Sequence, residues 1–377
     1  MKTNNPFVIS GYISPEYFCD RELETEKIIS ALKNERNITL LSLRRVGKTG
    51  IIKHAFNQLE AGENYRLLYL DILPTTCFGD FVREFGKAIL IEEQRRSGNY
   101  LNKLTRLISG IGGKLTFDQL TGNPQLEIDY KKPQETEKDI AGIFQYLKEQ
   151  NCRYIIAIDE FQQIVNYPEK NVEALLRSQI QQQNVANFIF SGSKKNILSA
   201  MFSEYGRPFF QSSDIMNLGR ISKEKYSEFI ANHFAAHQRL IDIELINSIL
   251  DEYNCYTFYV QYFFNQIFAS QAVEISAQFV SEIAIQILEE REYVYYNYKN
   301  LLTDIQFSLL KAIAKEGFVA RPNSGEFIQK YKLTQASSVN TSLKSLLNKE
   351  MIYLDEDGSF YFNTIKFLNT SSLCLVV

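Results

Sequence analysis

The sequence has no CxxC pair, no long apolar run and no strong net charge, and each absence excludes a class of protein. Its five cysteines are scattered along the chain, which suits a reducing interior better than a disulfide scaffold. No stretch approaches the roughly 18 uninterrupted apolar residues of a transmembrane helix. The first ten residues, "MKTNNPFVIS", lack the apolar region of a signal peptide. We therefore expect a cytoplasmic protein with no membrane partner.

The net charge is only −3 over 377 residues, so the chain as a whole has no electrostatic attraction for nucleic acid or anionic lipid. Hydrophobic residues make up 45% and charged residues 23% of the sequence, which is typical of a soluble globular protein and excludes wholesale disorder. The length allows two or three domains of ordinary size. A core domain with appended modules therefore fits.

The first part of the chain alternates between apolar, β-rich runs and helical periodicity. Strand-like runs occupy 37–43, 65–72, 153–160 and 187–193, and helical patterns separate them. This alternation predicts an α/β fold with a parallel sheet covered on both faces, and 214–221 can add an edge strand. Segment 97–134 holds seven glycines and prolines and is predicted to be an irregular insertion.

The C-terminal part of the chain is mostly helical. Between 222 and 299 the strand signal nearly vanishes, which predicts a helical subdomain. From 300 onward the order is helix, helix, helix and a hairpin whose turn contains Asp357-Gly358. That order describes a winged helix-turn-helix. We therefore predict three domains: an α/β core over 1–221, a helical subdomain over 222–299 and a winged helix over 300–377.

Residues 42–50, "SLRRVGKTG", end in the Gly-Lys-Thr of a phosphate-binding loop. In such loops backbone N–H groups face the anion, the lysine reaches the β- and γ-phosphates, and the hydroxyl holds magnesium. The pattern G-x-x-x-x-G-K-[ST] has glycine where this sequence has Ser42, a departure that is tolerable if φ at Ser42 is negative. A solvated turn before a helix is the alternative. The predicted nucleotide-binding residues of the loop are Ser42, Arg44, Arg45, Val46, Gly47, Lys48, Thr49 and Gly50.

Two further strand ends carry polar groups that suit a nucleotide site. "YIIAIDE" places Asp159 and Glu160 at the end of a buried strand, where one acid can hold Mg²⁺ and its neighbour can activate a water. Such a pair can also be the cap of the next helix. "FIFSGS" ends in Ser191 and Ser193, whose hydroxyls suit a sensor of the γ-phosphate, although small polar residues end many strands. The phosphate-binding loop and the acid pair, in this order and each on an apolar strand, together favour an ATP site.

On these residues the chain resembles the archaeal-type ATPases of the AAA+ class, close to the signalling NTPases called STAND. The resemblance covers about residues 7–290 and depends on an ordered set of motifs rather than on any one. The motifs are "YFCDRELETEKI", similar to the family's F-x-x-R-E-x-E-L box, then "SLRRVGKTG", "YIIAIDEFQQI", "FIFSGSKKNIL" and "YGRPFF". It implies a P-loop sheet of order 5-1-4-3-2, a helical lid, and ATP with Mg²⁺ bound between them.

The resemblance also implies roles for single residues. Phe18 and Arg21 would lie near the base, Asp159 on magnesium with Thr49, and Glu160 would be the catalytic base. Lys48 would contact the phosphates, and Ser191 or Ser193 would be the sensor. Arg207 matches a recurrent arginine that contacts the γ-phosphate in cis or from a neighbouring subunit; a structural ion pair is the alternative. Ser42 departs from the family pattern, and so do Cys19 and Asp20, where Val-Gly is common.

The winged-helix signal invites a DNA-binding role, with "TQASSVNTSLKSLLN" as the recognition helix. The charges argue against it, because residues 300–377 hold eight basic and seven acidic residues and the hairpin tip "DEDGS" is acidic. A packing or autoinhibitory module is favoured over DNA contact. His233 and His237 have a zinc-like spacing, but no HExxH motif accompanies them, so a structural role is favoured there.

The sequence thus predicts an ATP-binding AAA+/STAND-type ATPase that hydrolyses ATP slowly with Mg²⁺, and whose turnover drives a conformational switch acting on a protein partner. Two alternatives stay open at this point. One is a DNA-binding regulator that acts through the winged helix, and the other is a scaffold that binds ATP without hydrolysing it.

Overall fold

The computed structural model describes residues 4–60, 65–96, 114–117, 124–127, 133–354 and 358–362. The chain divides into two compact units, Gly11–Gly219 and a second made of Met1–Ser10 with Arg220–Val377. Cys19, Cys77, Cys152 and Cys255 are free thiols, and Cys374 lies outside the described residues. No helix in the described ranges is long and apolar enough to cross a bilayer.

The unit Gly11–Gly219 alternates strands and helices. Short 3₁₀ helices occur at Pro15–Tyr17 and Phe161–Asn166. The α-helices are α1 (Glu22–Lys33), α2 (Lys48–Glu60), α3 (Phe78–Arg96), α4 (Pro133–Lys148), α5 (Val172–Gln181) and α6 (Lys195–Ser203). The strands are β1 (Ile38–Leu41), β2 (Tyr65–Asp71), β3 (Lys114–Phe117), β4 (Pro124–Glu127), β5 (Arg153–Asp159), β6 (Ala186–Gly192) and β7 (Asp214–Asn217).

Five of these strands form one parallel sheet in the order β2-β5-β6-β1-β7. Counted along the chain without the β3-β4 pair, this is the order 5-1-4-3-2, so the predicted fold class is confirmed. Alternate residues of the central strands face opposite layers, as strand geometry requires. Ile156 and Phe188 pack into one core cluster, while Ile155 and Ile189 pack into the other. The sheet is therefore covered on both faces.

The segment 97–134 differs from its prediction wherever the structure describes it. Lys114–Phe117 and Pro124–Glu127 pair as an antiparallel hairpin, and α4 begins at Pro133. The expected irregular insertion is thus wrong for these residues. Glycine and proline counts missed the hairpin because they do not register the short apolar and β-branched run "KLTF" between them. The rest of the segment lies outside the described residues.

The second unit is built mainly from helices. They are α7 (Lys223–Ala236), α8 (Ile243–Glu252), α9 (Thr257–Ala269), α10 (Ala277–Leu301), α11 (Asp304–Glu316), α12 (Gly325–Lys330) and α13 (Ala336–Asn348). Its strands are the short parallel pair β8 (Leu240–Ile241) and β9 (Glu274–Ile275), then β10 (Phe318–Val319), β11 (Ile352–Leu354) and β12 (Phe360–Phe362). Phe7 is fully buried and packs on Phe264 at a ring distance of 5.6 Å, which is why the N-terminal segment joins this unit.

The last part of the chain has the predicted winged-helix order of three helices and a hairpin. Helices α11 and α13 pack around Leu310, Ile313 and Leu346 in a single core cluster. A capping box at Thr303 and Gln306 fixes the start of α11. The two-residue strand β10 joins the hairpin in the order β10-β12-β11. The predicted turn residue Asp357 and the rest of the acidic tip at 355–357 lie outside the described residues.

Candidate functional site

The loop between β1 and α2 has the backbone of a phosphate-binding loop. Gly47 has φ of +101° and Arg45 has φ of +62°, so the chain turns twice through left-handed conformations before the helix. The Ile51 N–H donates to the Gly47 carbonyl at 3.0 Å, which starts the helical ladder at once. Ser42 is buried and is not among the residues with positive φ, so its position does not require glycine.

The first turn of α2 carries Lys48 and Thr49. Lys48 is only 6% exposed, an unusual degree of burial for a lysine. The N–H groups of a first helical turn have no partner within the helix and favour an anion. A loop that ends in this way, with a buried lysine on the first turn, can hold phosphate groups. Arg44 and Arg45 are exposed on the same loop.

Asp159, at the end of β5, lies directly beside this turn. Its Oδ2 accepts from Thr49 Oγ1 at 3.0 Å and from Tyr69 Oη at 2.7 Å. Its Oδ1 accepts from Ser191 Oγ at 2.6 Å and from the Glu160 N–H at 3.0 Å. The residue is 5% exposed, and these four donors satisfy a carboxylate that burial would otherwise penalise. The structure thus brings the predicted Thr49, Asp159 and Ser191 together.

Tyr69, on the neighbouring strand β2, is a site residue that the sequence analysis missed. Burial raises the pKa of its hydroxyl, and the negative charge of Asp159 raises it further, so it stays protonated and donates. Asp71, two residues on, is opposite Asp159 in the strand register. Its pKa is raised by partial burial and then by the charges of Asp159 and Glu160. A tyrosine within the apolar run "LLYL", two residues before an acid, was the available signal.

Glu160 follows Asp159 in a left-handed conformation with φ of +55°. Its Oε2 accepts from Ser193 Oγ at 2.7 Å, from the Ser193 N–H at 3.2 Å and from Gln162 Nε2 at 2.6 Å. Glu160, the predicted catalytic base, and Ser193, one of the predicted γ-phosphate sensors, are therefore in contact. Gln162 was not predicted. It is 3% exposed, and its Oε1 is buried with no hydrogen-bond partner. The hydrogen bond from its Nε2 to Glu160 holds the amide in place.

Gly192, between the two serines, is required by this arrangement. A Cβ there would lie 1.8 Å from Gln162 Oε1 and 3.3 Å from Leu198 Cδ2, so the absence of a side chain makes room for the Gln162 amide. Close approach, and not an unusual φ, explains this glycine.

An aromatic group lies against the start of α2. Phe18 stacks on His54 with ring centroids 4.4 Å apart and 23° between the planes. The Phe18 ring also comes within 3.1 Å of the Cβ position of Gly50. The Tyr12 hydroxyl lies 3.0 Å from His54 Nδ1. Phe18, which was predicted to lie near the nucleotide base, thus lies one helical turn from the phosphate loop. It is beside His54, a residue that the sequence analysis did not select.

Arg21 ties the N-terminal box to the phosphate loop. Its guanidinium donates to the carbonyl of Gly219 at 2.7 Å and of Val46 at 3.5 Å, and it pairs with Glu24 at 2.9 Å. Arg21 is 3% exposed and has φ of +74°. These contacts fix the backbone at Val46 and thereby the loop around it.

Arg207 takes part in an ion pair with Glu173 on α5. Its Nη2 donates to Glu173 Oε1 at 2.7 Å. Burial raises the pKa of Glu173, and Arg207 counteracts the shift. Arg207 Nε and Glu173 Oε2 are buried with no hydrogen-bond partner, so the pair makes one contact where a bidentate geometry would make two. The contact matches the structural ion pair weighed for this arginine, and its role as a trigger stays a prediction.

The donor chemistry around Thr49 and Asp159 suits Mg²⁺. Both supply oxygen ligands, which this hard cation prefers, and it commonly binds through one or two protein groups with phosphate and water completing the shell. Among the described residues no cluster of three or more His, Cys, Asp and Glu could hold a metal by itself. His237 packs on Phe268 at 4.9 Å and His233 on Phe229 at 4.5 Å, which agrees with structural histidines there.

We predict that Gly192→Ala lowers the free energy of unfolding by about 1–3 kcal/mol, the usual cost of overpacking, because the added methyl must displace the buried Gln162 amide. The double variant Gly192→Ala/Gln162→Ala has no such clash. Its free energy of unfolding should therefore fall by less than the sum of the losses in the two single variants. Urea unfolding measures the cycle. Gly219→Ala, where nothing lies within 4 Å of the Cβ position, is the control. Strictly additive losses would contradict the prediction.

We predict that His54 makes the protein less stable in mild acid. Burial lowers the pKa of His54 below its ordinary value, so the unfolded chain binds more protons than the folded one. Stability is therefore full above about pH 6.5, the unfolded pKa, and falls as the pH drops toward the folded pKa. Unfolding measured between about pH 8 and pH 5 should show a shallower fall for His54→Gln. Equal slopes in the wild type and in His54→Gln would refute the assignment.

Comparison with known proteins gives one family model and several solved structures. A family described as a probable winged helix domain matches residues 293–370. No curated protein sequence matches the chain.

The solved structures that resemble the chain share its fold at low sequence identity. The Walker-type ATPase paby2304 of Pyrococcus abyssi is 16% identical, with a TM-score of 0.63 over 95% of this chain and 97% of that one. The ORC2 protein of Aeropyrum pernix in ADPNP-ADP complexes is 14% identical, with a TM-score of 0.58 over 95% and 93%. The A. pernix ORC1 protein in complex with DNA is 13% identical, with a TM-score of 0.52 over 97% and 95%. The chain therefore has the fold of the archaeal Walker-type P-loop ATPases, with a winged helix domain at its C-terminal end.

Proposed function

We propose that the protein binds ATP with Mg²⁺ and hydrolyses it slowly, as an ATPase of the AAA+/STAND type. The observation that carries the proposal is the 3.0 Å contact between Thr49 on the first turn of α2 and Asp159 at the end of β5. It joins the phosphate-binding loop to the acid that the resemblance assigns to magnesium. A solvated turn or an ordinary helix cap would not need this contact.

The residues of the loop divide the work of binding. The N–H groups at the start of α2 and the Lys48 ammonium would hold the phosphates, and Thr49 with Asp159 would hold Mg²⁺. When bound, Mg²⁺ supplies positive charge that neutralises the β- and γ-phosphates during transfer. Phe18 and Arg21 would border the base, since Phe18 lies against Gly50 and Arg21 holds the carbonyl of Val46.

Glu160 would act as the general base for the attacking water. In this structure its Oε2 accepts three hydrogen bonds, from Ser193 twice and from Gln162 once. An oxygen that already accepts three hydrogen bonds has no lone pair left for the attacking water. We therefore propose that turnover is slow until at least one of these donors moves, and that Ser193 senses the γ-phosphate through this contact.

The finer assignments belong to the same proposal. Ser191 would hold Asp159, Arg207 would reach the γ-phosphate only after leaving Glu173, and ATP turnover would switch the positions of the helical domain over 222–299 and the winged helix over 300–377. A protein partner in the cytoplasm would respond to that change of position. Ser42 is compatible with ATP binding, because the backbone at this position does not require glycine. Its effect on the hydrolysis rate has to be measured.

We predict that purified protein hydrolyses ATP only with Mg²⁺, and that Lys48→Ala loses both binding and turnover. Glu160→Gln should keep ATP binding and lose turnover by at least about 10²-fold, the usual contribution of a general base. Phosphate release and fluorescent-nucleotide binding measure the two steps. Lys27→Ala and Glu204→Gln, at exposed positions, are the matched controls. Wild-type binding without turnover would leave the non-hydrolysing scaffold as the function.

DNA binding through the winged helix is the second candidate function. The exposed face of α13 carries Ser337, Asn340, Thr341 and Lys344, and hydroxyl, amide and ammonium groups are those that contact base edges and phosphates. The small net charge of residues 300–377 limits the contribution from the phosphate backbone. The candidate therefore depends on this one helix face.

We predict that, if this face binds DNA, Lys344→Ala weakens binding to all duplexes alike and lowers the salt slope by about one. Asn340→Ala should instead reduce the preference between sequences. Fluorescence anisotropy with labelled duplexes at several salt concentrations measures both effects. Lys311→Ala, on helix α11, is the control. Duplex binding that neither α13 variant changes would exclude the winged helix as the reader.

A further inference from the structure

Tyr69 on β2 lies beside both groups that the proposed function assigns to Mg²⁺. Its hydroxyl is 2.7 Å from Asp159 Oδ2 and 3.5 Å from Thr49 Oγ1. Thr49 Oγ1 is itself 3.0 Å from Asp159 Oδ2. All three residues belong to the compact unit Gly11–Gly219. The three oxygen atoms therefore form one triangle beside the end of β5, to which Tyr69 brings a donor that the sequence analysis did not predict.

The strand register explains how Tyr69 reaches Asp159. The cross-strand partner of Tyr69 on β5 is Ala157, and Asp159 follows two residues later. Residues two apart on a strand share a face, and a diagonal neighbour on the next strand is within reach of an aromatic side chain. Ala157 has only a methyl group, which leaves room for the Tyr69 ring to extend along β5 toward the carboxylate.

Helix α2 contacts Tyr69 at two places. The Lys53 ammonium nitrogen lies 5.3 Å from the centroid of the Tyr69 ring, and ring faces attract cations through their quadrupole. Lys53 is four residues after Thr49, so the two side chains lie on one face of the helix. The helix that supplies the Thr49 hydroxyl therefore also holds the ring of Tyr69.

The protons of this triangle have one consistent arrangement. Tyr69 donates to Asp159, because that contact is the shorter of its two and the acceptor is charged. Thr49 also donates to Asp159. Since its proton is directed at the carboxylate, the Thr49 oxygen turns its lone pairs away from Asp159. Mg²⁺ prefers oxygen ligands, so this orientation suits a metal ligand at Thr49.

We propose that Tyr69 is a positioning residue for Mg²⁺, and that Lys53 supports it by holding its ring. Tyr69 would keep the Asp159 carboxylate in the orientation that accepts from Thr49, and would thereby fix the direction of the Thr49 hydroxyl. Without Tyr69, Asp159 Oδ2 would lose one of its two donors and the carboxylate would be free to turn. The inference rests on the proposed function, because it assigns a role at the metal site of that function.

The test uses the full chain and a fluorescent ATP analogue, whose Kd is measured in EDTA and with excess Mg²⁺. The ratio of the two Kd values is the gain in affinity caused by Mg²⁺. Tyr69→Phe should lower this gain by about tenfold, the lower end of the range for a residue that orients a metal ligand, and should leave the Kd in EDTA unchanged. Lys53→Met should lower the gain by about threefold, as for one partly exposed cation–π contact. Lys53→Arg keeps a cation over the ring and should keep the wild-type gain.

Tyr154→Phe is the matched control. It removes a buried tyrosine hydroxyl from β5 that has no hydrogen-bond partner among the described residues, so the gain should not change. Circular dichroism and the midpoint of thermal unfolding check that the variants fold, and the Lys53 variants keep the test valid if Tyr69→Phe does not fold.

The outcomes separate this inference from the proposed function. The inference alone is overturned if Tyr69→Phe and Lys53→Met keep the wild-type gain, or if Tyr154→Phe lowers the gain as much as Tyr69→Phe. A larger gain in Tyr69→Phe would also overturn it, since Tyr69 would then compete with the metal for Asp159. A wild-type protein that binds no ATP, or whose affinity does not rise with Mg²⁺, would overturn the proposed function as well.

Discussion

The buried carboxylate of Asp159 is the constraint to which the rest of the core is tied. A charge with 5% exposure must be satisfied by donors, and here they come from β2, α2, β6 and the next backbone N–H. The sheet has β5 between β2 and β6, and α2 begins beside the end of β5, which brings all four donors to one residue. The strand order and the place of the phosphate-binding loop are therefore parts of one arrangement.

Much of this core could be predicted from sequence because the relevant signals are local. Buried strands between amphipathic helices give apolar runs, and acids or hydroxyls at strand ends fall at the same edge of a parallel sheet. The strand order itself came from the family resemblance, since periodicity does not encode which strands pair. Tyr69 and Gln162 were missed for a related reason. Their contacts with Asp159 and Glu160 depend on cross-strand register and on the turn after β5.

In the second unit, too, local sequence signals predicted some features and missed those that depend on distant contacts. The winged-helix order was predictable because each helix has its own periodicity and the hairpin its own turn. Strand β10 was not, since two residues carry no pattern. Phe7 joins this unit through contacts with residues more than 200 positions away, such as the hydrogen bond from Asn265 to its carbonyl. The hairpin of β3 and β4 was not predicted, because its two strands are short and glycines and prolines surround them.

The charges at the strand ends also bear on how a nucleotide would bind. Asp71, Asp159 and Glu160 lie at one edge of the sheet, and the pKa of Asp71 is raised in part by the charges of the other two. The hydrogen-bond donors seen on Asp159 and Glu160 are neutral hydroxyl, amide and backbone groups. A bare triphosphate would be repelled by this edge. ATP carrying Mg²⁺ would bring positive charge to the place where the acids lie, so in the proposed function the two bind together, and removal of the metal disfavours the nucleotide as well as the reaction.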